Sequence, residues 1–103
     1  MKFLINISSD SELITYEAVA LGFVLASFDH TVQFLFTGHS LNVLQDPTSR
    51  VYGMVQSLEL YDINAAWGDF SADKLASLDS SIKSMIIATP DYQATDFDTV
   101  LTF

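Results

Sequence analysis

Apolar and polar positions alternate over residues 2–7 and then give way to Ser8-Ser9-Asp10-Ser11, which predicts a strand followed by a turn. Ser11 and Glu12 supply a helix start with an acid in the first turn, and residues 12–28 read as the first helix. Of the 16 positions in 13–28, 12 are apolar, and only Thr15, Glu17, Gly22 and Ser27 interrupt them. A helix lying on a sheet normally shows water a polar face. This one has almost none, so a single sheet cannot cover it, and the remainder is a candidate subunit interface with Tyr16, Phe23 and Val24 as contact residues.

The later elements are shorter. Residues 31–36 are rich in β-formers and predict a strand that ends at Thr37-Gly38. Residues 39–45 allow a short helix closed by Asp46-Pro47. Thr48 or Ser49 caps a longer one over 50–61, where Val51, Met54, Val55, Leu58 and Tyr61 fall at helical spacing. A weak strand over 64–67 precedes a short helix from Ser71 to Leu78, a clear strand over 84–88 and a final strand over 98–103. Strands alternating with helices predict an α/β fold: a mostly parallel five-stranded sheet with helices on both faces. A chain of 103 residues without linker, repeat or low-complexity tract fits one domain, 1–103.

Charge and composition narrow the function. Thirteen acids stand against four scattered bases, Lys2, Arg50, Lys74 and Lys83, for a formal net charge of −9. Binding a phosphate backbone or an anionic membrane needs clustered Lys and Arg, so neither nucleic acid nor a membrane surface is an expected partner. No apolar run reaches the about 20 residues of a membrane span, and the opening apolar stretch is too short for a signal-peptide core, which makes the cytoplasm the expected location. With no cysteine, disulfides, thiolate metal sites and thiol catalysis are excluded.

Chemistry in open α/β sheets gathers at the carboxyl ends of strands, here the loops 8–11, 37–40, 67–71 and 89–92. The serines of the first loop suit helix capping better than phosphate binding, because Asp10 would repel the anion and no glycine-rich phosphate pattern is present. A phosphoacceptor reading fails because no lysine follows a late strand. His30 and His39 lack further ligands at matched spacing for a metal, and no cofactor is expected. No Gly-x-Ser-x-Gly elbow marks a serine nucleophile. His39, Trp67, Asp69 and Tyr92 remain as residues of a ligand or partner loop; Tyr61, Trp67 and Tyr92 could line a pocket, but aromatics at strand and helix ends more often serve core or interface packing, the favoured reading. The profile is that of an interaction protein more than of an enzyme.

Three stretches carry a resemblance. Phe34-Leu35-Phe36-Thr37-Gly38-His39-Ser40-Leu41-Asn42-Val43-Leu44, then Leu60-Tyr61-Asp62-Ile63 followed by Trp67, then Ala88-Thr89-Pro90 with Phe97-Asp98-Thr99-Val100-Leu101-Thr102-Phe103, resemble in order and spacing the TusC/DsrF branch of the DsrE/DsrF-like family. That resemblance implies a three-layer α/β/α sandwich with a five-stranded parallel sheet. It also implies membership in a hetero-oligomer of two copies of three sister subunits, which pass persulfide sulfur toward 2-thiouridine in tRNA or serve dissimilatory sulfur metabolism. In the active subunit of that family the sulfur-carrying cysteine follows the third strand. Asp69 stands at the matching position here, so the resemblance implies a non-catalytic scaffold subunit that depends on DsrE-, DsrF- or DsrH-like sisters and could pair with itself when alone. The segment 91–97 is short for the family's last helix and holds at most about two turns. The competing expectation is a small-molecule-binding domain using the strand-end loops; an acid–base enzyme pairing Asp69 with His39 is a third.

Overall fold

The computed structural model describes all of residues 1–103. Five strands, β1 (Lys2–Ile7), β2 (Thr31–Thr37), β3 (Ala66–Asp69), β4 (Ile86–Ala88) and β5 (Thr99–Thr102), form one sheet in the order β4-β3-β2-β1-β5, and every neighbouring pair is parallel. The last strand, β5, therefore runs with the others. Between them lie α1 (Glu12–Ser27), α2 (Leu41–Leu44), α3 (Arg50–Gln56), α4 (Ala72–Ala76) and α5 (Ser80–Lys83).

The strand order dictates the layers. From β1 to β4 each crossover steps the same way across the sheet, and right-handed crossovers then place every helix on one face. Packing agrees: α1 lies on β1 and β2 and against α3, α3 lies against α5, and α4 and α5 lie on β4. The core sits between this helical layer and the sheet, with Ile5, Ile7, Phe34 and Phe36 facing Val19, Leu44, Val51, Val55 and Ile82, all 0% exposed. The return from β4 to β5 spans the sheet on its other face. This third layer is a strap, 89–98, whose only regular structure is a 3-10 turn at Ala94–Asp96. The strap is fastened at its far end, where Asp98 N–H donates to Lys2 O (2.8 Å) and the Asp98 carboxylate accepts from Lys2 N–H (2.6 Å). Leu4 and Leu35 are buried on that face, while Ile87 and Val100 on the two edge strands stay exposed.

Several boundaries differ from the sequence-based expectation. The helix over 50–61 is two pieces: α3 ends at Gln56 and is capped by Ser57, whose Oγ donates to Gly53 O, and a 3-10 turn follows at Leu58–Tyr61. Asp62 in the left-handed region closes that turn, with Asp62 N–H on Glu59 O and Ile63 N–H on Leu58 O, a helix-ending hydrogen-bond pair that brings Ile63 into the core. The third strand is two residues later than 64–67, because pairing with Leu35, Phe36 and Thr37 selects Trp67, Gly68 and Asp69. Gly68 is needed there: a Cβ would meet Ile86 at 2.9 Å and Leu75 at 3.0 Å. The helix expected from Ser71 to Leu78 stops at Ala76, and α5 is an additional helix.

Candidate functional site

At the carboxyl edge of the sheet, the loop after β1 is occupied by its own hydrogen bonds. Ser11 Oγ accepts from Ile14 N–H to cap α1, Ser9 Oγ accepts from Ser11 N–H, Thr15 Oγ donates to Ser9 O, and Ser8 Oγ donates to Phe103 O. The serines serve the backbone, which is what side-chain oxygens at a helix start do best. Next along the edge, His39 lies exposed in the 3-10 turn Gly38–Ser40, and Asp69 lies exposed at the end of β3, in register with Thr37. No hydrogen bond joins His39 to Asp69, and nowhere do three or more His, Asp or Glu side chains gather at metal-holding range.

Trp67 and Tyr92 do meet, although not at that edge. Alternation along β3 puts Gly68 against the helical layer and Trp67 on the strap face. There Trp67 packs on Tyr92 (ring centroids 5.1 Å) and Phe97 (6.1 Å), and Tyr92 packs on Phe97 (6.2 Å). Sequence reasoning placed Trp67 and Tyr92 among ligand loops without seeing Phe97; only the path of the strap brings the three together.

The second feature is the outer side of α1. Thr15, Ala18, Val19 and Gly22 face inward and are buried. Gly22 lets the helix approach closely, since a Cβ there would lie 2.2 Å from the Phe34 ring. Of the three expected interface residues, Phe23 stacks on Tyr61 (4.1 Å, 9° between planes) and is half-buried, Tyr16 lies under the Arg50 guanidinium (5.7 Å), and Val24 is 53% exposed. The more open residues were not singled out from the sequence: Leu13 is 65%, Phe28 72% and Leu60 83% exposed. Leu13 and Phe28 close the two ends of the apolar run already noted. Leu60 is out of phase with Val51, Val55 and Leu58, and that phase was the available signal. Glu17 is the only charged residue on this helix beyond its first turn; Asp29, Glu59 and Asp62 adjoin Phe28, Leu60 and Tyr61 in the chain, while Arg50 stands beside Tyr16 and Leu13.

No helix is long and apolar enough to cross a membrane. No family model matches the chain, and no curated protein matches it.

Proposed function

We propose that this chain is a thiol-free structural subunit of a cytoplasmic sulfur-relay hetero-oligomer of the DsrE/DsrF-like kind, and not itself an enzyme. One observation carries the reading: the domain buries a complete core yet leaves Leu13, Val24, Phe28 and Leu60 facing water along one side of α1 and the turn packed against it. Several large apolar side chains left in water along one side of a helix of a small domain point to a site for another protein. The chemistry of the carboxyl edge is in keeping with a supporting role. Asp69 occupies the end of β3, the place the resemblance gives to the sulfur-carrying cysteine, and a carboxylate cannot form a persulfide. Cysteine-bearing sister subunits carry the sulfur, with tRNA 2-thiouridine as the end product, while this subunit shapes the assembly and supplies an acidic rim to it.

Affinity purification of the tagged chain from its native cells tests this. Small cysteine-bearing α/β proteins should co-elute in stoichiometric amounts, and the Val24→Asp variant should lose them. Recovery of the chain alone as a monomer overturns the reading.

A further inference from the structure

The strap does not lie flush on the sheet. Between it and the amino-terminal ends of β1 and β2 is a cleft of about 430 Å³, within the roughly 300–1,000 Å³ typical of small-molecule sites. It opens at the edge of the sheet opposite the strand-end loops and on the face away from α1, so it is independent of the interface proposed above.

Its floor is built around Gln33, a polar side chain only 8% exposed in the amino-terminal half of the central strand β2. Gln33 Nε2 donates to Phe34 O (3.0 Å) and Ala65 O (3.1 Å), which commits both amide hydrogens and fixes the group. Its Oε1 accepts nothing from the chain, is not sealed off from solvent, and is the atom left to serve the cleft. Beside it stand Trp67, Tyr92 and Phe97, a continuous aromatic surface. The strap adds the carboxylates of Asp91 and Asp96, of which Asp96 Oδ2 already accepts from Gln93 N–H, against a single base, Lys2. Lys2 Nζ itself rests 6.0 Å from the Phe97 ring centre, at the limit of cation–π range, and the faces of aromatic rings attract positive charge.

We propose that the cleft binds a small organic cation, an alkylguanidinium or primary alkylammonium. The chemistry of the walls selects it. Its N–H groups donate to Gln33 Oε1 and to the strap carboxylates, and its charged head rests on the outer face of the Trp67–Tyr92 pair. The rings are too close together to admit it between them. Guanidinium suits such a surface best, being flat, weakly hydrated and rich in donors. Anionic metabolites are disfavoured by the −9 charge of the whole chain.

Trp67 is the only tryptophan, so its fluorescence reports on the cleft alone. Butylguanidinium should change that fluorescence saturably below about 20 mM and raise the melting temperature. Butylurea, of the same shape without the charge, should do neither. Tyr92→Leu and Asp91→Asn should each weaken binding by about threefold or more, whereas Asp73→Asn on α4 should leave it unchanged. A linear, unsaturable response, an equal response to butylurea, or unchanged affinity in both cleft variants overturns the proposal.

Discussion

Two glycines show how far a single residue's meaning depends on its neighbours. Gly22 and Gly53 both sit inside helices, where glycine costs about 1 kcal/mol relative to alanine. At Gly53 an added methyl meets nothing, so Gly53→Ala should stabilise the fold by about 0.5–1 kcal/mol in chemical denaturation. At Gly22 the methyl would be driven into Phe34, which is itself fully buried, and Gly22→Ala should destabilise by about 1–3 kcal/mol. The same chemistry at two helix positions thus carries opposite signs, and only packing distinguishes them. Asp46 offers a titration at this scale. The Thr48 hydroxyl and backbone N–H both donate to its Oδ1, and these bonds, the hydroxyl first, hold its carboxyl below the ordinary pKa. With the folded value depressed, the stabilisation is present above the unfolded pKa and is lost as the pH falls through the folded one. In Thr48→Val, the Asp46 carboxyl followed by NMR should titrate at higher pH than in the parent; no movement would refute the assignment.

At the level of the element, α1 separates folding from association. Val24 projects outward and Phe23 stacks on Tyr61, so a charge at each should read out differently. Val24→Asp should leave the melting curve nearly unchanged, within about 0.5 kcal/mol, while abolishing assembly. Phe23→Asp should lower stability by at least about 2 kcal/mol, because an unpaired carboxylate then replaces an aromatic pair at a partly buried site. Equal melting curves for the two variants would contradict this division. The apolar run was plain in the sequence, since composition needs no partner to be read. The break at Ser57 was not, because Val51, Val55 and Leu58 keep helical phase across it and the reversal is set by Asp62 and Ile63 further on. The strap was legible only as a stretch too short for a full helix. Its clamp is tertiary, and Asp98→Ala, which removes the bond from Lys2 N–H, should loosen β5 by about 1 kcal/mol. Faster hydrogen exchange at the amides pairing β5 with β1, with β2–β3 amides unaffected, is the expected signature.

For the whole molecule, charge and topology set the behaviour. Thirteen acids on so small a body repel one another, and salt screens that repulsion over a Debye length of about 10 Å at 0.1 M. The melting temperature should therefore rise between about 10 mM and 150 mM NaCl; a fall would mean that attractive pairs dominate. The α/β class, the five strands and the lone apolar helix were determined by the sequence by itself, because periodicity, capping residues and β-branched runs act over a few neighbours and need no fold to be expressed. So was the exclusion of thiol chemistry, since a missing cysteine is missing in any conformation. Tertiary structure alone decided the strand order, the start of β3, the half-burial of Phe23 against Tyr61 beside an exposed Val24, and the meeting of Trp67, Tyr92 and Phe97 over Gln33. Each of these joins residues far apart in the chain, and such pairings are fixed only when the sheet register and the path of the strap bring them within contact.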